Sequence, residues 1–216
     1  AVDRVISAFN FGILSVPSTP KFADMDSFKG EIYHTGDWPH EGVDFTGKRV
    51  GVIGTGSSAI QSIPLMAEQA DQLTVFQRTA TFTVPAANRP ITENERKATK
   101  RSYKQLREQA RRAGTGVLVD QPVGAFGEVE ERIVRGELER RWRGTGFGTT
   151  SVLSDNLRSI EANNYTSQFV RDKINEIVDD PAVAKLLEPH DYPIGTKRLA
   201  LDTNYYDTYN RENVKL

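Results

Sequence analysis

The sequence contains no cysteine. Disulfides, thiolate metal sites and cysteine nucleophiles are therefore excluded, and the redox character of the compartment stays open. Histidine is scarce as well: His34, His40 and His190 are scattered, with no spacing that would set ligands side by side, so no metal site is expected. No run of 18 apolar residues occurs, and the opening Ala1-Val2-Asp3-Arg4-Val5-Ile6 lacks the basic and apolar stretches of a secretion signal. No membrane association is expected, and a cytoplasmic location is the default. An excess of one charge is missing too, since 28 Lys and Arg stand against 29 Asp and Glu, with a pI near 6.4. Neither nucleic acid nor an anionic bilayer is therefore expected as a partner, and any basic site must be local.

What is present suits a globular chain with a real core: 216 residues, of which 38% are apolar and 26% charged. Val2 to Phe9 reads as a strand that opens the chain with no leader, and Asn213-Val214-Lys215-Leu216 reads as a strand cut short. The expectation is an internal piece of a longer protein, which a gene product of matching mass would overturn.

The first 90 residues alternate as an α/β fold does. Arg49-Val50-Gly51-Val52-Ile53 is a short apolar run, Ser57 to Gln69 carries Ile60, Ile63, Leu65 and Met66 at roughly helical spacing, and Leu73-Thr74-Val75-Phe76 is the next strand. Pro64 inside that helix is expected to bend it or shift its start. Residues 91–190 hold 17 of the basic and 16 of the acidic residues, a density that suits surface helices rather than buried parallel strands. Thr92 with Glu95 has the form of a capping box ahead of a helix from Asn94 to Arg112. Further helices are expected over Glu128 to Arg143, Tyr165 to Val178, and after Asp180-Pro181. A sheet-like pattern returns at Lys197-Arg198-Leu199-Ala200-Leu201, followed by a short helix through Asp202 to Asn210. The expected architecture is thus an α/β, Rossmann-like three-layer NADP-binding domain over 1–90 and 191–216, with an inserted helical subdomain over 91–190. A second, independent helical domain is the alternative.

Between the Arg49-to-Ile53 run and its helix lies Gly54-Thr55-Gly56-Ser57-Ser58-Ala59. A dinucleotide turn needs glycine to bend tightly and to let the backbone approach a pyrophosphate, and a small third residue for close packing. Gly54, Gly56 and Ala59 fill these places, the helix end supplies free N–H groups, and Thr55, Ser57 and Ser58 can add hydroxyl donors. Gln61, one turn into the helix, could face the cofactor or be solvated. Alone, the pattern also fits an ordinary tight β-α turn. The next strand ends in Phe76-Gln77-Arg78-Thr79, with Arg78 standing 24 residues after Gly54, near the spacing of about 20 of the residue that discriminates NAD from NADP. An acid there would accept from the ribose 2'-hydroxyl and repel a 2'-phosphate. Arg78 can grip that phosphate bidentately and Thr79 can add a bond, so NADPH is favoured over NADH. A solvated surface charge is the other reading of Arg78.

Upstream of the turn runs Phe28-Lys29-Gly30-Glu31-Ile32-Tyr33-His34-Thr35-Gly36-Asp37-Trp38-Pro39. This F-x-G-x-x-x-H-x-x-x-W-P pattern resembles the signature of the Baeyer-Villiger monooxygenases, flavoenzymes that use NADPH to insert one oxygen of O2 beside a ketone carbonyl. Phe45 to Gly54, Val75 to Thr79, Gly195-Thr196-Lys197-Arg198 and Asp202-Thr203-Asn204-Tyr205-Tyr206 are similar to the family too. The resemblance implies that Lys197 joins Arg78 and Thr79 around the 2'-phosphate and that Arg198 is catalytic, its fixed charge stabilising the anions formed during oxygen insertion. It makes Phe28, Gly30, His34, Trp38 and Pro39 fingerprint residues, with His34 a hinge rather than a base and Phe28 and Trp38 packing. It implies FAD in the complete protein, held by an FAD-binding domain absent here, so that this chain alone is inactive. Asn10 to Pro17 resembles the family's stretch near the flavin, with Asn10-Phe11 in place of smaller residues. A flavin monooxygenase that oxygenates nitrogen or sulfur, or a non-enzymatic NADPH-binding module, are the alternative functions.

Overall fold

The structure, a computed structural model, describes residues 20–113 and 116–216; the strand expected at Val2 to Phe9 and the flavin-side stretch Asn10 to Pro17 lie outside the described residues. The chain divides into two compact units, Ala1–Phe45 and Thr46–Leu216.

In the second unit, strand β1 (Arg49–Ile53) leads through helix α1 (Ser57–Gln69) into β2 (Gln72–Phe76), and the two strands pair in parallel from Arg49↔Gln72 to Ile53↔Phe76. The crossover helix is what makes a parallel pair reachable. α1 buries Ile60, Ile63, Pro64, Met66 and Ala67. Leu65, expected on that face, is 62% exposed, because five residues at about 100° each turn it far from Ile60. Pro64 leaves the start of α1 in place, its missing N–H depriving only the Ile60 carbonyl of an internal partner.

Two more parallel pairings complete the strands. β5 (Val214–Lys215) joins the other edge of β2 through Leu73↔Val214. β3 (Thr83–Pro85) pairs with β4 (Ala200–Asp202) as a separate two-stranded sheet. β3 was not expected from sequence, and the strand expected over Lys197 to Leu201 shortens to β4, which leaves Lys197 and Arg198 in a loop. The helix expected through Asp202 to Asn210 reduces to a 3-10 turn over Asp207–Asn210. One side of the β1–β2 pair carries the buried Leu73 and Val75, while Ile53 and Phe76 are 68% and 57% exposed.

The charged stretch is helical as expected, with shifted ends. α2 (Glu93–Arg112) begins in a complete capping box: Thr92 Oγ1 accepts from Glu95 N at 3.3 Å and Glu95 Oε2 accepts from Thr92 N at 2.9 Å. It buries none of its residues. α3 (Glu131–Arg143) starts three residues late, after a turn closed by Glu128 N on the Ala125 carbonyl. α4 (Ile160–Ile177) starts five residues early, because Ser159 accepts from Ala162 N and caps it. α5 (Pro181–Leu187) follows Asp180, whose carboxylate accepts from Ala182 N at 2.8 Å. α3 and α4 share a core of Val134, Leu138, Phe169, Val170 and Ile174, with Trp142 edge-on to Phe169 at 5.9 Å.

A 3-10 turn over Gly146–Ser151 presses this core against β3. A Cβ on Gly146 would stand 2.7 Å from Val84 Cβ and 2.9 Å from Pro85 Cδ. Gly146→Ala should therefore cost about 1–3 kcal/mol of stability through overpacking, seen as a lower urea midpoint. An unchanged midpoint would mean that β3 can recede at no cost.

Candidate cofactor site

The turn after β1 is shaped for backbone approach. Gly54 has φ +100°, with no atom within 4 Å of where a Cβ would stand, so it is the backbone angle rather than space that requires glycine. Its N–H donates to the Phe76 carbonyl at 2.9 Å, fixing the turn to the end of β2. Gly56 is the N-cap of α1 and no side chain caps that end. The first N–H groups of the helix, with Ser57 and Ser58 exposed beside them, are left for another acceptor, and the helix dipole favours an anion there.

The buried Thr55 hydroxyl, expected to donate toward phosphates, donates to the Thr79 carbonyl at 3.1 Å. It thereby ties the glycine turn to the loop that carries Arg78. Arg78 is exposed and Thr79 half-buried. Gln77 secures the same loop by donating to the Leu186 carbonyl at 2.7 Å. Gln61 is exposed on α1, its amide donating at 3.5 Å to the Leu201 carbonyl of β4.

The second loop arrives through the β3–β4 pair. Its parallel register, Thr83↔Ala200, sets the residues that follow Arg78 and Thr79 alongside those that follow Lys197 and Arg198. The pair is pinned inside by Asp202, which accepts from Thr83 Oγ1 at 2.7 Å and from Tyr205 N at 3.2 Å. Burial pushes the Asp202 carboxyl above its ordinary pKa, against the pull of those two bonds. Burial also raises the Tyr205 phenol to about 12 and the Tyr206 phenol well above its usual range. Both stay protonated and are packing groups.

Upstream, the loop is held at two points. Asn163 on α4 donates to the Ile194 carbonyl at 2.9 Å and accepts from Ile194 N at 3.0 Å, while its amide also reaches the Asn156 carbonyl at 3.0 Å. Tyr192 accepts at its hydroxyl from Phe82 N at 3.1 Å. Gly195 follows at φ +88°, where a Cβ would press to 2.8 Å from Leu157 Cδ2. Lys197 and Arg198 are exposed beyond it. Neither they nor Arg78 has a carboxylate partner among the described residues, whereas Arg96, Arg112, Arg135 and Arg140 are all ion-paired. A glycine turn, a free helix N-terminus and unneutralised cations can together bind a polyanion.

No protein-family model matches the chain. Among curated proteins, the cyclohexanone 1,2-monooxygenase of Acinetobacter sp is 42% identical over 209 residues, which cover 95% of this chain and 38% of that protein. A Baeyer-Villiger monooxygenase of Pseudooceanicola batsensis is 41% identical over 211 residues, 95% of this chain and 37% of that protein. The solved structure of OTEMO in complex with FAD and NADP superposes with a TM-score of 0.90 at 38% identity, over 93% of this chain and 39% of that one. The chain is thus similar, along almost its whole length, to part of these monooxygenases. It spans less than two fifths of the length of these relatives.

The Phe28-to-Pro39 stretch lies in the first unit. The exposed Phe28 ring lies over Gly30, where an added Cβ would meet its far end at 2.7 Å. His34 turns the chain: its Nδ1 accepts from Gly36 N at 3.0 Å and its carbonyl from Asp37 N at 2.9 Å. Trp38 lies between Tyr33 at 5.8 Å and Phe45 at 6.2 Å, tilted against both rings, and Pro39 is half-buried. With one ring nitrogen engaged by the backbone, His34 has the setting of a shape-defining group.

Sequence reasoning missed Tyr192, Asn163, Thr83 and Asp202 as supports of the site. The first three stand in no pattern that sequence alone flags. Asp202 was quoted within the family's Asp202-to-Tyr206 stretch, without a role.

Proposed function

We propose that the chain is the NADPH-binding part of an FAD-dependent Baeyer-Villiger monooxygenase that converts a ketone and O2 into an ester or lactone. Residues 1–90 and 191–216 form the Rossmann-like three-layer domain and 91–190 the helical insertion. The parent protein works in the cytoplasm without membrane or nucleic acid, and its own FAD-binding domain is the partner of this part. The observation that carries the reading is the Thr55–Thr79 tie, which fixes a phosphate-compatible glycine turn beside the Arg78 loop.

The residues fit the cofactor. The open space at Gly54 and the uncapped end of α1 suit a pyrophosphate, while Gly56, Ser57, Ser58 and Gln61 line its approach. Arg78, Thr79 and Lys197 would hold the 2'-phosphate, two of them as cations with no carboxylate partner among the described residues. Bound in the longer protein, FAD supplies the oxygen-activating chemistry. Arg198 would supply a planar guanidinium to stabilise negative charge as oxygen is transferred to the carbonyl. His34, with Phe28, Gly30, Trp38 and Pro39, shapes the fingerprint turn and moves no proton.

Titration of NADPH and NADH into the full-length gene product tests the cofactor assignment. Arg78→Ala and Lys197→Ala should each weaken NADPH by about 1.5–3 kcal/mol, the value of a charged hydrogen bond, and leave NADH unchanged. Equal losses for the two nucleotides would remove the 2'-phosphate assignment. Products oxygenated at nitrogen or sulfur instead of an ester would replace the reaction while keeping the site.

A further inference from the structure

We infer that Tyr192 is a positioning residue for cofactor selectivity: its ring is a fixed platform that holds the Lys197 ammonium where the 2'-phosphate of NADPH binds. The inference rests on the cofactor reading above and adds to it a residue outside every motif. Three contacts carry it. The Lys197 Nζ stands 4.0 Å from the centre of the Tyr192 ring. The Tyr192 hydroxyl accepts from Phe82 N at 3.1 Å. Phe82, itself buried, meets the ring edge-on at 5.5 Å and 88°.

Phe82 stands four residues beyond Arg78 on the segment that enters β3, so the ring that carries Lys197 is fastened to the backbone running on from the Arg78–Thr79 loop. Thr55 fastens that same loop to the glycine turn. Turn, arginine loop and lysine are thus linked through three successive contacts, and Tyr192 is the link to the lysine. A free lysine samples many rotamers and loses that freedom when it grips a phosphate. An ammonium already resting on an aromatic face has lost much of it before the cofactor arrives. Lys197 has no carboxylate partner among the described residues, and its contact with the ring leaves its charge unneutralised.

The test is calorimetric binding of 2',5'-ADP and of AMP, which differ by the 2'-phosphate alone, to the full-length gene product. Tyr192→Leu should weaken 2',5'-ADP by roughly two- to fivefold and leave AMP unchanged, the range expected when an exposed cation–π contact is lost. Tyr192→Phe keeps the ring but loses its anchor on Phe82, and should weaken 2',5'-ADP about twofold. In a Lys197→Ala background, which itself lowers 2',5'-ADP binding selectively, both substitutions should have no further effect. If Tyr192→Leu does not fold, the cycle is run with Tyr192→Phe at its smaller magnitude. Equal weakening of both ligands, no weakening of either, or an effect undiminished in the Lys197→Ala background would each overturn the role of Tyr192 while leaving the cofactor site standing. If Lys197→Ala is itself without selective effect, the assignment of Lys197 fails and Tyr192 falls with it.

Discussion

Replacing Asn163 with alanine should destabilise the protein by about 3–5 kcal/mol, far beyond an ordinary surface change. The side chain is 4% exposed. Its oxygen accepts from Ile194 N and from Ser167 Oγ, and its nitrogen donates to the Ile194 and Asn156 carbonyls. Truncation leaves these groups without their partner in a place water reaches poorly, and each unmatched buried group costs about 1–3 kcal/mol. Asn163→Asp is the sharper probe, because it keeps the shape and the acceptor but loses both donors and places a negative charge beside two carbonyls. It should be at least as damaging as alanine. Urea unfolding followed by circular dichroism measures both, and a loss under 1 kcal/mol for either would show that the Ile194 backbone finds other partners.

Arg198→Ala should lower the oxygenation rate of the full-length enzyme by roughly 10²- to 10³-fold, as when one preorganised donor to a developing anion is removed. Its affinity for NADPH should stay within about twofold, because the 2'-phosphate is assigned to Arg78, Thr79 and Lys197. Arg198→Lys should fall between, since an ammonium restores charge but not the planar fork. Single-turnover oxygenation and separate nucleotide titration distinguish the two quantities. Undiminished oxygenation in the alanine variant would end the catalytic assignment, and a matching loss of NADPH binding would turn Arg198 into a nucleotide ligand.

Much of the local structure was legible because it has local causes. The run Arg49 to Ile53, the spacing of Ile60, Ile63 and Met66, the Thr92–Glu95 box and the Asp180-Pro181 start each depend on residues within a turn or two of one another. Ser159 caps α4 without a capping box, since residue 162 is alanine and Glu161 stands one place too early, so the start of α4 carried only the weaker signal of a lone serine. β3 carried none: three residues that end in proline gain strand geometry only by pairing with β4, 117 positions later. The site divides along the same line. The glycine turn and Arg78 could be read from spacing, and Lys197 and Arg198 needed the family resemblance. Tyr192 and Asn163 act through backbone groups 110 and 31 residues away in sequence, a separation that no pattern along the chain encodes.

The side-by-side Ile53 and Phe76, bared on one side of the sheet, set the terms for any use of this stretch as a free-standing nucleotide-capture reagent. The Phe76 ring leans toward Gly51, where an added Cβ would meet it at 3.3 Å, so the greasy strip runs across both strands and ends at β1, the outermost among the described residues. Cut out alone, the stretch would meet its own copies there, strip to strip, at the concentrations of a purification column. Polar replacements at 53 and 76 would soften that encounter without touching Leu73 and Val75, which point to the other side and hold α1 in place.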